Sequence, residues 1–209
     1  MVAIIDYGVG NLFSLKSSLS SLGADVIVTA DENELKNADQ IILPGVGAFE
    51  DAIKKLRETS LDKVVIELAK SGKPLMGICL GMQLLFDKSY EYGEHEGLGL
   101  IKGEIVPIKD DVSADLKIPH IGWNALKFEY GTSPIFADIN DGDCVYFVHS
   151  FYAKNCAKNV IATTEYGATL TAAVADKNVF GCQFHPEKSG KIGLAILKSF
   201  INIKEGSLC

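Results

Sequence analysis

A cysteine lies at the junction between a predicted strand and a predicted helix. Cys79 has Gly77 two residues before it and Gly81 two residues after it, and apolar residues continue on both sides. This spacing predicts a nucleophile elbow, in which a side chain stands exposed at a strained turn and glycines relieve the crowding. The helix N-terminus favours a thiolate there. The chemistry indicated is attack on a carbonyl carbon, with acyl transfer from an amide or ester.

A histidine and a glutamate beyond a late predicted strand could complete this chemistry. They lie in the segment Phe-His-Pro-Glu at residues 184–187. His185 could take the proton of Cys79, and Glu187 could accept the other ring N–H and fix the tautomer. Taken singly, each residue has a plainer alternative, which is a buried structural cysteine or a histidine in a surface turn.

Two peptide N–H groups are candidates for an oxyanion hole, which a tetrahedral intermediate requires. Leu80 follows the cysteine at the predicted helix start. Val46 lies between Gly45 and Gly47, which leave its peptide free to turn towards a substrate. The alternative for this second loop is an ordinary strand-to-helix turn.

The elements that must position these residues alternate along the first half of the chain. Apolar runs predict strands over 2–5, 26–28, 40–43 and 75–78, and helical spacing predicts helices over 12–22, 49–57 and 61–70, with a short polar helix or loop over 31–37. Such alternation predicts an α/β, doubly wound (flavodoxin-like) three-layer fold. Sites in such sheets lie at the carboxyl ends of the strands.

The second half has a different pattern. From residue 97 to about 175 helical spacing largely disappears, and short strands are predicted over 98–101, 104–106, 125–128, 144–148 and 160–163. A late strand over 179–183 and a closing amphipathic helix over 190–201 follow. We interpret this half as a β-rich antiparallel extension of the same fold. Since no linker rich in Pro, Gly or Ser interrupts the chain, we expect a single domain over 1–209.

Composition narrows the class of partner and the compartment. The formal net charge is −7 with a pI near 5.1, which argues against a nucleic acid or an anionic membrane as main partner. We expect no membrane span and no signal peptide. The five cysteines are irregularly spaced and odd in number, so we expect neither a disulfide framework nor a metal site. A cytoplasmic location follows from this expectation.

The motifs together resemble class I (triad-type) glutamine amidotransferases. The motifs are Pro-Gly-Val-Gly at 44–47, Gly-Ile-Cys-Leu-Gly-Met-Gln at 77–83 and Phe-His-Pro-Glu at 184–187. Their order and spacing match across nearly the whole chain. Within that family, the segments at 5–12, 119–124, 146–151 and 185–190 resemble the glutaminase subunits of imidazole glycerol phosphate synthase.

The resemblance implies an activity and a partner. It implies that Cys79 attacks the side-chain amide of L-glutamine, releasing ammonia and then glutamate. The ammonia would pass to a (βα)8-barrel cyclase subunit of a heterodimer, which makes imidazole glycerol phosphate and AICAR in L-histidine biosynthesis. The resemblance implies no cofactor.

The resemblance also carries roles to further residues. Glutamine-binding roles fall on Gly47, Gln83, Glu91, Ser150 and Phe151, and partner-interface roles on Asn11, His120, Trp123, Tyr146 and Lys188. Position 151 is often tyrosine in the family, so a hydroxyl contact is missing here. Plainer alternatives are solvated charges for Glu91 and Lys188, and core packing for Trp123 and Tyr146.

Two rival functions remain open at this point. One is a glutaminase subunit for a paralogous synthase that makes amidated sugars. The other is a catalytically silent, flavodoxin-like binding module, which predicts at least one broken triad position. A free-standing thiol hydrolase is disfavoured by Gln83 and Glu91, which fit a glutamine pocket.

Overall fold

A computed structural model describes residues 1–129, 133–204 and 206. The helices of this part are α1 (Leu12–Ser21), α2 (Glu32–Asn37), α3 (Phe49–Glu58), α4 (Leu61–Lys70), α5 (Leu80–Leu84) and α6 (Gly190–Ile201). The strands are β1 (Val2–Ile5), β2 (Val26–Thr29), β3 (Gln40–Leu43), β4 (Leu75–Ile78), β5 (Phe86–Ser89), β6 (His95–Glu96), β7 (Ile101–Pro107), β8 (His120–Ala125), β9 (Lys127–Phe128), β10 (Cys144–His149), β11 (Phe151–Lys154), β12 (Val160–Glu165), β13 (Thr169–Asp176) and β14 (Val179–Cys182).

An eight-stranded mixed sheet forms the centre, in the order β2-β1-β3-β4-β14-β13-β12-β9. The first five strands in this order are parallel, and the last three join by antiparallel pairing. Leu43 pairs with Gly77, and Cys182 pairs with Ile78. The carboxyl ends of β3, β4 and β14 therefore lie side by side, which places the loops that follow them at one edge of the sheet.

Hydrophobic side chains cover both faces of this sheet. Helices α3 and α4 pack on one face with Phe49, Leu56 and Leu68 buried, and α1 and α6 pack on the other. Strands β1, β3 and β4 are buried along their whole length, as expected of parallel strands between two helical layers. The predicted doubly wound, three-layer α/β fold is confirmed.

The antiparallel extension was also predicted, and it contains two smaller sheets. One has the order β11-β7-β5-β6, and the other is a ribbon of β8 and β10. The ribbon pairs His149 with His120 and Tyr146 with Trp123. These strands lie beside the carboxyl edge of the main sheet, because His185 N–H after β14 donates to the carbonyl of Tyr146 at 3.0 Å.

Several element boundaries differ from the prediction. The strand predicted over 98–101 is largely a turn, and β7 begins only at Ile101. Strands β5, β11 and β13 were not predicted. In the described part of the chain, none of the helices has the length and apolar character that crossing a membrane requires.

Candidate active site

The turn after β4 holds Cys79 in a strained conformation. Its φ is 54° and its ψ is −113°, and its N–H donates to the carbonyl of Cys182 at 2.7 Å. A positive φ is costly for a residue other than glycine and is typical of functional turns. A Cβ on Gly81 would lie 1.9 Å from the carbonyl oxygen of Leu43, and one on Gly77 would lie 2.6 Å from that of Gly81. Gly81 is therefore required for the turn to lie against β3, and Gly77 is required for the start of α5 to pack over the end of β4.

His185 and Glu187 lie beside this turn, where the chain leaves β14. His185 Nδ1 is 2.8 Å from Glu187 Oε1, and each side chain is only 3% exposed. A short 3-10 turn, Pro186–Lys188, keeps both side chains on one side. Ser189 fixes this turn, because its hydroxyl donates to the carbonyl of His185 at 2.7 Å.

The electrostatics of His185 favour an imidazolium. Burial disfavours the charged ring, but hydrogen bonds to Cys79 and Glu187 outweigh burial and raise the pKa of His185 to about 9. Since a carboxylate accepts, Nδ1 carries a proton and Nε2 is left to face the sulfur. The three residues can thus hold a thiolate next to an imidazolium, which is the reactive form of a cysteine nucleophile.

A cavity of about 320 Å³ opens over the cysteine. It is large enough for one amino acid and joins residues from six segments of the chain. The predicted site residues that line it are Val46, Gly47, Cys79, Leu80, Gln83, Glu91, Ser150, Phe151, His185 and Lys188. Glu187 lies behind His185. The structure thus brings the predicted nucleophile, base, oxyanion and glutamine-binding residues together, and their roles stay predictions.

Two of the predicted glutamine-binding side chains already have protein partners. Gln83 Nε2 donates to the carbonyl of Phe151 at 3.1 Å and to Gln183 Oε1 at 3.0 Å, so only its oxygen is left for a substrate. This oxygen suits an ammonium or amide N–H rather than a carboxylate. Glu91 Oε2 accepts from Phe49 N–H at 2.6 Å at the start of α3, and burial raises the pKa of Glu91.

The predicted interface residues divide into exposed and buried ones. Along β8 the side chains alternate, so Ile121 and Trp123 are 58% and 56% exposed while His120 is fully buried. His120 has no solvent-exposed surface in the free chain, and its interface role stays a prediction. Trp123 packs edge-on against Tyr146 with ring centroids 6.1 Å apart.

Of the remaining interface residues, Lys188 lines the cavity, and Asn11 lines a small neighbouring pocket with His185 and Glu187. Lys188 is exposed, and Asn11 caps α1 by accepting from Ser14 N–H. Phe13, two residues on, is 82% exposed and was missed in the sequence. A large apolar side chain on the polar side of a helix was the signal that could have found it.

His120 instead joins a buried row of polar groups. His149 Nδ1 lies 2.9 Å from the carbonyl of Phe151, and His149 Nε2 lies 3.0 Å from His120 Nδ1. His120 Nε2 lies 2.9 Å from Asn124 Oδ1, whose amide nitrogen donates to the carbonyl of Glu165. The ring of His120 stacks between Phe147 and Tyr166. The Phe151 carbonyl therefore accepts from Gln83 and also lies within hydrogen-bond distance of His149.

Gln183 is a second residue that the sequence reasoning missed. It is fully buried, and its Nε2 lies 4.0 Å from Cys79 Sγ. Its position two residues before His185 was the available signal. Within the described ranges, no group of three His, Cys, Asp or Glu side chains is arranged to hold a metal ion.

Comparison with known proteins agrees with this geometry. The family model described as glutamine amidotransferase class-I matches residues 3–203. The imidazole glycerol phosphate synthase subunit HisH of Geobacillus sp. (strain WCH70) is 50% identical, with 99% of this chain and 98% of that protein covered. The protein of the same name from Caldanaerobacter subterraneus subsp. tengcongensis is 49% identical, with 96% and 97% covered.

A solved structure, PurLQS from Thermotoga maritima, superposes with a TM-score of 0.72 over 96% of this chain and 97% of that one. Its sequence is only 22% identical, so it supports the fold alone. The family model and the two relatives span almost the whole chain and agree with each other. The chain therefore belongs to the class I glutamine amidotransferase family and, within it, to the HisH subunits of imidazole glycerol phosphate synthase.

Proposed function

We propose that this chain hydrolyses L-glutamine to glutamate and ammonia through a Cys79-His185-Glu187 triad, as the glutaminase subunit of imidazole glycerol phosphate synthase in L-histidine biosynthesis. The observation that carries the proposal is the hydrogen-bonded, buried His185–Glu187 pair beside the strained Cys79 turn. The 50% identity to a HisH subunit supports the choice of synthase. We take residues 1–209 as one amidotransferase domain.

The first half of the reaction forms a thioester. The Cys79 thiolate attacks the side-chain carbonyl carbon of glutamine, and the carbonyl oxygen becomes an oxyanion. The N–H groups of Leu80 and Val46 stabilise that oxyanion. The imidazolium of His185 gives its Nε2 proton to the amide nitrogen, the C–N bond breaks, and ammonia leaves with the γ-glutamyl group bound to sulfur.

The second half restores the enzyme. His185, now neutral, takes a proton from a water molecule, which attacks the thioester carbon. The C–S bond breaks, glutamate leaves, and the thiolate faces the imidazolium again. Glu187 accepts the hydrogen bond from Nδ1–H throughout and keeps Nε2 directed at the sulfur, which the 2.8 Å contact supports.

Glutamine binding is assigned to the residues around the cavity. The Glu91 carboxylate and the free oxygen of Gln83 are acceptors for the substrate's ammonium and amide N–H groups. The backbone of Gly47, Ser150 and Phe151 supplies further contacts. All five residues line the 320 Å³ cavity, which supports this assignment.

The acceptor of the ammonia is a partner, a (βα)8-barrel cyclase subunit that makes imidazole glycerol phosphate and AICAR. The exposed Trp123 beside Tyr146, with Lys188 at the cavity and Asn11 in a small neighbouring pocket beside Glu187, forms the face we assign to it. Exposed aromatic residues are frequent anchors of interfaces. We place the complex in the cytoplasm, where reducing conditions keep the Cys79 thiol free.

The deciding experiment measures glutamate release from glutamine by this chain, alone and with a cyclase subunit and its ribonucleotide ligand. We expect little release alone and a large rise with partner and ligand. Cys79→Ala should abolish glutamine-dependent synthesis and leave synthesis from ammonium salts intact. Cys144→Ala, which changes an exposed cysteine, is the matched control and should retain both activities.

Three outcomes would contradict the proposal. Loss of ammonium-dependent synthesis in Cys79→Ala would place the residue in a structural role. Activation only by a synthase of sugar amidation would identify the paralogous subunit. Failure of glutamate release with every partner, together with no labelling of Cys79 by a γ-glutamyl-like thiol reagent, would identify a silent module.

A further inference from the structure

A buried amide that does not line the cavity lies next to the nucleophile. Gln183 follows β14 directly and is fully buried, and its N–H extends the sheet by donating to the carbonyl of Ala172 at 2.9 Å. Burying an amide without hydrogen bonds is strongly unfavourable. The hydrogen-bond partners of the Gln183 side chain therefore indicate the role of a glutamine at this position.

The orientation of this amide is fixed by a neighbouring carbonyl. The Phe151 carbonyl can only accept, so the Gln83 atom 3.1 Å from it is the nitrogen. The same nitrogen lies 3.0 Å from Gln183, so the Gln183 atom that faces it is the oxygen. Consequently the nitrogen of Gln183 faces Cys79 Sγ, at 4.0 Å. Neither amide can be turned over without setting two donors or two acceptors against each other.

We propose that Gln183 is a positioning residue for the nucleophile, whose side-chain N–H holds the Cys79 thiolate while its oxygen holds Gln83. A neutral thiol is a poor acceptor, but an N–H directed at an anion makes a charge-assisted bond that is about twice as strong as a neutral one. The sulfur is then held between two donors, His185 and Gln183. One buried amide thus sets the nucleophile and a glutamine-binding side chain at once.

If Gln183 only supported Gln83, its side chain would need different hydrogen-bonding groups. Support of Gln83 requires only an acceptor at the end of the side chain, whereas support of the thiolate requires a donor. Gln183→Glu keeps an acceptor for Gln83, removes the donor and sets a carboxylate beside the sulfur. Gln183→Met keeps the approximate shape and removes both functions. The two variants therefore separate the two roles.

The test is the rate at which iodoacetamide alkylates Cys79 in the full-length chain at neutral pH, followed by mass spectrometry. Exposed Cys144 is the reference thiol in the same molecule, and buried Cys156 and Cys182 report on folding, because they are labelled only if the chain opens. We expect alkylation of Cys79 to slow by about tenfold in Gln183→Met and further in Gln183→Glu. Cys144 should react at the wild-type rate in both.

Two outcomes would overturn the inference. One is a wild-type alkylation rate in both variants. The other is a slow Gln183→Met together with a fast Gln183→Glu, which would assign the amide to Gln83 alone. If the methionine variant exposes its buried thiols, the glutamate variant decides by itself, since it has nearly the same shape as the wild type.

The inference rests on the proposed function only in its effect on turnover. In the complex, we expect kcat for glutamine hydrolysis to fall by about tenfold or more in Gln183→Glu with KM changed less than threefold, because Gln83 keeps its acceptor. Failure of the wild-type complex to release glutamate would defeat the proposed function and leave the alkylation result standing. A normal glutaminase with unaffected alkylation in both variants would defeat the inference alone.

Discussion

The turn that holds Cys79 and the protein surface near the cavity differ in how their side chains are covered. Cys79, His185 and Glu187 are buried, and each is held by backbone or by another side chain of this chain. On the surface, Phe13, Ile121 and Trp123 expose apolar side chains by more than half. Monomeric proteins rarely expose large apolar groups together. The comparison teaches that the chemical groups are held within the chain, whereas these exposed apolar groups fit the partner surface that we propose.

The largest effect should come from breaking the close packing under the turn. In Gly81→Ala the new Cβ would meet the Leu43 carbonyl at 1.9 Å, so the turn must move away from β3. We expect a loss of about 3 kcal/mol or more in the free energy of unfolding. Gly23→Ala is the control, since φ there is also positive at 80° but nothing lies within 4 Å, and about 1 kcal/mol is expected. Equal losses in urea unfolding would contradict the packing argument.

The next prediction concerns the buried triad. Glu187→Gln keeps the size of the side chain but removes the charge that holds His185 as an imidazolium. We expect kcat/KM for glutamine, measured in the complex, to fall on the order of 100-fold with little change in cyclase affinity. Glu58→Gln, on the exposed side of α3, should have the wild-type rate. A Glu187→Gln enzyme within threefold of wild type would remove the carboxylate from the mechanism.

A smaller effect is expected at the exposed apolar surface. Trp123→Ala removes an aromatic group whose one recorded ring partner in the described residues is Tyr146. We expect the Kd for the cyclase to rise about tenfold or more, while the stability of the free chain changes by less than about 0.5 kcal/mol. Trp123→Phe should restore most of the affinity. Unchanged affinity in Trp123→Ala, measured by calorimetry, would place the partner on another surface.

The smallest effect concerns pH. Folding raises the pKa of His185 from 6.5 to about 9, so the stability that this shift contributes is fully present below pH 6.5. It is lost as pH rises from 6.5 through 9. The difference in free energy of unfolding between wild type and His185→Asn should therefore shrink from pH 6.5 to 9. A difference that grows over this interval in urea titrations would mean that the ring is neutral in the folded chain.

The sequence predicted the parallel half of the fold closely because each of its strands is a short apolar run. β1, β3 and β4 were predicted with their observed bounds, and α6 likewise. Strand β5, with the sequence Phe-Asp-Lys-Ser, has no such run and is held by pairing with β7. Its pattern alone could not distinguish it from a loop. Strand β13 mixes threonine and alanine, which predict little by themselves.

The same distinction holds for the site. Cys79, His185 and Glu187 lie in local motifs whose chemistry is readable from neighbours in the sequence. Gln183 was missed because its partner Gln83 is 100 positions away, and only the folded chain shows the contact. The burial of His120 was missed because no strand was predicted over residues 120–124. Alternation along β8 puts it on the opposite face from Ile121 and Trp123.

The row of imidazoles beside the Phe151 carbonyl has one N–H group fewer than its hydrogen-bond contacts require. Three contacts of 2.9–3.0 Å run from that carbonyl through His149 and His120 to the oxygen of Asn124, and both ends of the row can only accept. Burial lowers the pKa of both rings, that of His149 to about 3, so the pair is neutral and brings two N–H groups to three contacts. One contact always sets lone pair against lone pair. Tautomer exchange relocates this defect along the row without displacing a single heavy atom.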